Sequence, residues 1–192
     1  MKIVEYNEHR NEGFSVPTPA FNVIYQLIHI YRHLFDGGVG LRQIIDYYFV
    51  LESYYKTKPE NDDVILLLKR FNLFSFAGAM MYVLKKALKM PEEYMICEPD
   101  ARRGRHLLRE IMMAGNFGWY DNRINRFHKI KRLGGVNKIL QEGHNFFNKN
   151  IRNLKMLSMY SNEVLWTPYF MVYHWFWRKL KLWNYSLADF RK

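Results

Sequence analysis

Apolar side chains recur at intervals of three and four residues through most of this 192-residue chain. In the first such block the repeating positions are Phe21, Ile24, Tyr25, Ile28, Tyr31 and Phe35. That spacing places them on one face of an α-helix, whereas a half-buried strand needs strict alternation. Ile3–Tyr6 is the one candidate for a short N-terminal extended segment. The pattern therefore predicts an all-α fold, a bundle of about six to eight helices.

Proline and glycine residues mark where these helices begin and end. Proline suits the first turn of a helix, and glycine tolerates the positive φ that often ends one. The first helix is predicted to start around Thr18, between Pro17 and Pro19. The others are predicted to start near Leu41, Pro59, Leu73, Pro99, Gly135 and Pro168. Glu60, Asp62 and Asp63 are expected in the first turn of the third helix, where they complement its dipole. The helix from Gly135 is expected to reach about Met159, and the last, aromatic helix to end near Trp183.

Neither an internal repeat nor a flexible linker divides residues 18–183. We therefore expect residues 1–16 to be an N-terminal extension and residues 17–192 to form a single helical domain. The N-terminal residues lack the apolar core of a signal peptide, and no stretch approaches the roughly 20 apolar residues that span a bilayer. Cys97 is the only cysteine, which excludes an intrachain disulfide or a cysteine-based zinc site. These features predict a cytoplasmic protein.

The positive charge of the chain is concentrated in its second half. Residues 1–96 carry 11 basic and 11 acidic side chains, whereas residues 97–192 carry 18 basic and 7 acidic ones. Such a field attracts polyanions such as RNA, DNA, nucleotides and acidic lipid surfaces, and a solvated basic surface also keeps a protein soluble. The candidate polyanion-binding residues are Arg102, Arg103, Arg105, Arg123, Arg126, Lys129, Lys131 and Arg132.

Five polar residues flank the turn between the first two predicted helices, and we call them the polar joint. His29 and His33 are four residues apart on one helix, and Arg42, Gln43 and Asp46 lie at the start of the next. The joint is a candidate site for a ligand or a partner. The histidines and Asp46 have the donor types of half a metal site, but histidines near a helix C-terminus are also favoured by the dipole. We prefer the structural interpretation and predict no metal. Arg42 and Asp46 are spaced to pair along their helix.

The chain lacks the sequence motifs of self-contained active sites. It contains neither a phosphate-binding P-loop nor a dinucleotide-binding glycine fingerprint, and it has no zinc-protease or serine-hydrolase motif. The run Gly37-Gly38-Val39-Gly40 looks like a phosphate cradle because a helix follows it. No strand precedes this run, so we interpret it as a turn between helices.

Several short sequence motifs, in their order along the chain, are similar to the motifs of a known family. They are Pro17-Thr18-Pro19-Ala20-Phe21-Asn22, then His29 and His33, Gly38-Val39-Gly40-Leu41-Arg42-Gln43 with Asp46, Leu107-Leu108-Arg109-Glu110-Ile111 leading into Gly115-Asn116-Phe117-Gly118, and Ser161-Asn162-Glu163-Val164-Leu165-Trp166. Together they resemble the uncharacterised bacterial nucleotidyltransferase-like family. The resemblance implies the helical C-terminal portion of a larger protein and covers most of residues 17–183.

The catalytic part of that family is similar to the polymerase-β-type nucleotidyltransferase domain, which carries a Gly-Ser turn followed by paired aspartates. No such motif precedes Pro17. Nucleotidyl transfer needs closely spaced carboxylates that hold Mg²⁺ against the reacting oxygens. Asp62 and Asp63 are poorly suited to this, because adjacent helical residues point about 100° apart. We therefore predict no catalytic residue in this chain, and Mg²⁺ and NTP as cofactors only where a catalytic domain is supplied elsewhere.

Two further segments are candidate contact surfaces. Asn116 and Trp119 lie in a loop where the amide suits polar readout and the indole suits base stacking, although a helix-ending turn pinned by aromatics is the preferred interpretation. The aromatic residues of the last helix precede Arg178, Lys179 and Lys181. That combination fits a membrane surface, while core or subunit contacts are the more usual role of aromatics at helical spacing.

The sequence thus leads to one main functional hypothesis and two alternatives. The main hypothesis is a noncatalytic helical domain of a nucleotidyltransferase-like protein, which positions a nucleotide, a nucleic acid or a catalytic partner. The first alternative is a stand-alone basic module that binds RNA or another polyanion. The second is a structural homo-oligomer held together by the aromatic C-terminal helix.

Overall fold

The computed structural model describes residues 7–9, 15–57, 63–114 and 135–189. In these ranges it contains seven α-helices, one short 3₁₀ helix and one pair of short strands, which confirms the predicted all-α class. The described residues fall into two compact units, the first within residues 7–114 and the second within residues 135–189. A single domain over residues 17–192 remains a prediction.

The N-terminal strands form a small antiparallel pair. Strand β1 (Asn7–His9) pairs with β2 (Ser15–Pro17), and Glu8 lies opposite Val16. The segment proposed from the sequence as extended, Ile3–Tyr6, lies outside the described residues. Strand β2 ends two residues before the first helix begins.

Helices α1 (Pro19–Asp36) and α2 (Leu41–Thr57) form an antiparallel hairpin. Helix α1 begins at Pro19, within the predicted start around Thr18. Thr18 caps the helix, because its Oγ1 accepts a hydrogen bond from the Phe21 amide at 3.3 Å. The apolar positions of both helices recur at helical spacing and lie in the core. They include Val23, Leu27, Ile30 and Leu34 in α1 and Ile44, Tyr47 and Leu51 in α2.

The rest of the first unit consists of α3 (Val64–Arg70), α4 (Phe74–Leu88), a 3₁₀ helix (Glu92–Tyr94) and α5 (Ala101–Ala114). The prediction that Asp63 lies in the first turn of the third helix was wrong, because Asp63 precedes Val64, where α3 begins, and no acidic residue lies in the first turn of α3. Pro59, Glu60 and Asp62, which were expected at the same helix start, lie outside the described residues.

Helices α4 and α5 pack closely at Gly104 of α5, and Gly78 of α4 contacts the segment that leads into α5. A Cβ atom added to Gly104 would lie 2.4 Å from the Cβ of Tyr82, and one added to Gly78 would lie 3.2 Å from the carbonyl oxygen of Glu98. The Asp100 amide also donates to the Gly78 carbonyl at 2.9 Å. Only residues without a side chain allow this approach, so Gly104 serves packing in the middle of its helix.

The second unit is a pair of helices, α6 (Gly135–Leu154) and α7 (Ser161–Asp189). The prediction that Pro168 starts the last helix was wrong, because α7 begins at Ser161 and contains Pro168 in its interior. The Val164 amide bonds to the Tyr160 carbonyl at 3.1 Å, so the first turn forms before the proline. Met156, Tyr160 and Val164 are buried in this unit. No helix among the described residues is long and apolar enough to cross a membrane.

Candidate functional site

Four rings follow one another along α1 at intervals of one helical turn. Phe21 stacks on Tyr25 with 5.8 Å between ring centroids, and Tyr25 stacks on His29 at 6.3 Å. His29 meets His33 edge to face at 4.4 Å. Tyr25 is 52% exposed and His29 is also exposed. We call these four residues the ring row, whose exposed members are Tyr25 and His29.

The two histidines of the polar joint contact each other directly. Their Nε2 atoms lie 3.2 Å apart, so one ring donates a proton and the other accepts it. Partial burial and the neighbouring His29 and Arg32 lower the pKa of His33, although Asp36 acts in the opposite direction. The lowered pKa favours the uncharged imidazole of His33, which has one donor and one acceptor nitrogen for this hydrogen bond.

Most backbone amides of the turn between α1 and α2 have partners within the fold. The Gly37 and Gly38 amides donate to the His33 carbonyl at 3.1 and 2.8 Å, and the Gly40 amide donates to the Gln43 Oε1 at 3.1 Å. Gly38 has a φ of 98°, a conformation that favours glycine. With these amides occupied, the run acts as a turn between helices and not as an open phosphate cradle.

The remaining members of the polar joint divide between structure and surface. Gln43 caps α2 through its bond to Gly40, which is half of a capping box. Arg42 and Asp46 are both exposed, and among the described side chains no ion pair joins them. The structure thus brings His29 and His33 together at the C-terminal end of α1. Across the described ranges, no group of three or more His, Cys, Asp or Glu residues has the geometry to hold a metal ion.

Three of the candidate polyanion-binding residues, Arg102, Arg103 and Arg105, lie on α5. Arg102, Arg105 and Arg109 are exposed, and residues three, four and seven apart share a helix face. Arg103 is half-buried instead, and its guanidinium pairs with the Asp100 carboxylate at 3.0 Å. Arg123, Arg126, Lys129, Lys131 and Arg132 lie outside the described residues, as do Asn116 and Trp119.

Asp100 caps α5 and was not recognised as part of a site. Its Oδ1 accepts from the Arg102 and Arg103 amides at 2.9 and 3.0 Å. Burial acts to raise the pKa of Asp100, but the hydrogen bonds from Arg103 and Arg102 outweigh it and lower the pKa overall. The cap fixes Arg103 and leaves the other arginines of α5 facing solvent.

A cavity of about 310 Å³ beside the 3₁₀ helix was also missed by the sequence reasoning, because it is lined by a segment with no periodic pattern. Its walls are formed by Lys85, Glu92, Met95, Ile96, Cys97, Glu98 and Pro99. Lys85 pairs with Glu92 at its edge. Burial, with a smaller effect of Glu98, raises the pKa of the Cys97 thiol to about 11. The thiol is therefore protonated at neutral pH, in keeping with an inert cysteine.

Comparison with known proteins locates the resemblance in the first unit. Residues 4–89 match the model of the family described as an uncharacterised nucleotidyltransferase. This match confirms the resemblance proposed from the sequence, and it includes the ring row and the whole polar joint. The similar motifs after residue 89 lie outside the match and remain predictions. No curated protein and no solved structure matches the chain significantly.

Proposed function

We propose that the first unit is the helical domain of a nucleotidyltransferase-like protein, and that its α1–α2 hairpin holds a nucleotide for chemistry performed by a catalytic domain supplied elsewhere. The observation that carries this proposal is the exposed ring row beside the polar joint, inside the residues that match the family. The family description supports only the general kind of protein, and the ligand is our inference.

The ring row suits the base of the nucleotide. Nucleobases stack on aromatic and histidine side chains without regard to base identity, and each such contact contributes about 1–3 kcal/mol by alanine substitution. Tyr25 and His29 are exposed and lie nearly parallel, with 13° between their ring planes. A base that contacts both rings keeps one orientation relative to the helix.

Two exposed arginines suit the phosphates. Arg32 lies in the second-to-last turn of α1, and Arg42 lies in the first turn of α2. The first turn of a helix also carries partial positive charge, which favours an anion nearby. A nucleotide with its base on the ring row therefore has cationic groups on both sides of the intervening turn.

We assign nucleotidyl transfer to another domain because that reaction requires clustered carboxylates. The sequence contains no Gly-Ser turn followed by paired aspartates. Asp46 is an exposed, single carboxylate of the polar joint, and a two-metal mechanism needs several acidic ligands placed together. We therefore assign this hairpin a holding role and propose that the reacting metal ions bind to a partner domain.

The test is calorimetric titration of the full chain with a nucleoside triphosphate. Tyr25→Ala and His29→Ala should each weaken binding by about 5-fold or more, as expected when one stacking ring is removed. Phe71→Ala is the matched control, because Phe71 is 53% exposed in the same unit and lies outside the ring row. Absence of binding by the native chain, or an equal loss of affinity in the control, would contradict the proposal.

A second candidate function, polyanion binding, is favoured by the exposed face of α5. Arg102, Arg105 and Arg109 stand on one side of that helix and no described acidic side chain pairs with them. Residues of this kind bind phosphate backbones without reading sequence, and the binding weakens steeply with salt.

This second function is tested by RNA binding at several salt concentrations. Reversal of Arg102, Arg105 and Arg109 to glutamate should reduce the slope of log affinity against log salt by about one for each arginine that binds a phosphate in the native chain. Reversal of Lys69, Arg70 and Lys86 changes the net charge equally on exposed positions of α3 and α4 and serves as the control. Equal effects of the two triple variants would exclude a site on α5.

A further inference from the structure

Helix α7 has a broad exposed face made only of apolar and aromatic side chains. Nine residues compose this face, and each is at least 45% exposed: Leu165, Trp166, Tyr169, Phe170, Val172, Tyr173, Phe176, Trp177 and Leu180. Because each residue advances about 100° around a helix, the nine fall within an arc of roughly 160°. The face extends over about 23 Å of helix. Exposed apolar surface of this extent marks an interaction site.

The opposite side of α7 faces its own unit. Val164 is buried, and Thr167, Met171 and His174 are half-buried. These positions recur at intervals of three and four residues, so they form the stripe that packs within the unit. The Asn150 amide nitrogen of α6 lies 4.0 Å from the Met171 sulfur, which fits that arrangement. The nine-residue face is therefore not the face that α7 uses toward α6.

The charges around the face have one sign. No aspartate or glutamate occurs from Val164 to Ala188, whereas Arg178, Lys179 and Lys181 fall within that segment. Arg178 is exposed. At about 100° per residue, positions 179 and 181 border the two edges of the nine-residue face, whereas Arg178 falls on the opposite side of the helix. Two copies that paired through this face would find no acidic partner for the bordering lysines in the same segment. A negatively charged surface has the complementary sign.

The residue types of the nine-residue face also favour contact with a membrane surface. Trp166, Trp177, Tyr169 and Tyr173 have large apolar rings with a polar edge, which favours the boundary between lipid chains and water. Helix α7 does not have the apolar character of a membrane-spanning segment. A helix with one apolar aromatic face and adjacent basic residues lies in the plane of the interface instead.

We propose that α7 is a membrane-surface helix that binds anionic phospholipid through its nine-residue face. The aromatic and aliphatic side chains enter the headgroup boundary, and the two lysines at the borders of the face interact with lipid phosphates and carboxylates. This proposal is independent of nucleotide holding, since it concerns the second unit. It places the protein at a membrane surface by peripheral attachment through α7.

The experiment is co-sedimentation of the full chain with vesicles, accompanied by tryptophan fluorescence. We expect binding and a blue shift with an equal mixture of phosphatidylcholine and phosphatidylserine, at least 10-fold weaker binding with phosphatidylcholine alone, and weaker binding at high salt. The double variant Trp166→Ser/Tyr173→Ser should lose at least 10-fold in vesicle affinity. Phe49→Ser/Phe71→Ser removes two comparably exposed aromatics from the first unit and should bind as the native chain does.

The alternative occupants of the face give different results. A dimer of the native chain in sedimentation velocity that dissociates in Trp166→Ser/Tyr173→Ser would show that a second copy covers the face, and would overturn the proposal. Failure of the native chain to bind anionic vesicles would also overturn it. Equal loss of binding in the two double variants would show that the attachment is not specific to α7. Circular dichroism of both variants confirms that helix content is unchanged.

Discussion

Helices α4 and α7 show how differently the two units use apolar residues. Helix α4 has fifteen residues and buries eight of them, including Phe76, Met80 and Leu84. Helix α7 is nearly twice as long, yet among its described side chains only Val164 is buried. Both segments show helical spacing in the sequence. Apolar periodicity thus predicts that a helix forms, but it does not predict whether the protein itself covers the apolar face.

The largest expected effect is a difference in the free energy of unfolding between two matched phenylalanine-to-alanine variants. Phe76 is 1% exposed in α4 and Phe176 is 56% exposed in α7. Phe76→Ala should lower the free energy of unfolding by about 3–5 kcal/mol, because it removes buried packing and leaves a cavity. Phe176→Ala should change it by about 0.5 kcal/mol or less. Urea denaturation of both variants measures the difference, and a loss above about 2 kcal/mol in Phe176→Ala would mean that the face is covered in solution.

The thiol of Cys97 gives a second measure of how closed the first unit is. Its pKa is raised from 9.0 to about 11, a shift of about two, so the thiolate fraction at pH 8 is about 100-fold smaller than for an ordinary cysteine. The rate of reaction with a disulfide reagent should therefore rise by about 10-fold or more when the chain is unfolded in urea, because the gain in thiolate fraction is partly offset by the lower nucleophilicity of the less basic thiolate. Similar rates in the native and unfolded states would show that the Cys97 environment is open.

Because α4 packs closely against α5, we expect a substitution at their contact to cause a moderate loss of stability. Gly104→Ala places a methyl group 2.4 Å from the Tyr82 side chain, so one of the two must move. We expect a loss of about 1–3 kcal/mol in the free energy of unfolding, as is usual for overpacking. Gly143→Ala is the control in α6, where an added Cβ meets no atom within 4 Å. Destabilisation by the control and not by Gly104→Ala would reverse the comparison between the units.

The smallest expected effect concerns the cap of α5. Asp100→Ala should lower the free energy of unfolding by about 1 kcal/mol at pH 7. The pKa of Asp100 is lowered in the folded chain, so its stabilisation is present above its unfolded pKa of about 3.9 and is lost as pH falls through the folded value. The difference between variant and native chain should therefore shrink when unfolding is repeated near pH 3. A difference that grows on acidification would have the wrong sign.

Much of the first unit could be predicted from local signals. Pro19 and Gly38 bound α1 because they fix or permit the backbone conformation that their positions require. The start of α7 could not be predicted this way, because the turn from Tyr160 forms ahead of Pro168 and the helix continues through it. The role of Gly104 depends on Tyr82 of another helix, so no pattern within α5 reveals it.

The position of the candidate site could also be predicted from the sequence, but not every contact within it. Spacing alone placed His29 and His33 on one face, and their side chains do meet. Spacing also suggested a pair of Arg42 with Asp46, which long exposed side chains need not form, and among the described residues no such ion pair occurs. The capping role of Gln43 required the position of the Gly40 amide. Residue types therefore located the site, but backbone geometry decided which residues are structural.

The central functional claim is that this chain holds a nucleotide without transferring it. Phosphorus NMR of the native chain with a nucleoside triphosphate and Mg²⁺ tests both parts in one sample. We predict that the triphosphate resonances shift or broaden on binding, that Tyr25→Ala and His29→Ala diminish this change, and that no pyrophosphate signal develops. Pyrophosphate that accumulates with the native chain, or triphosphate resonances that the chain leaves unchanged, would contradict the account.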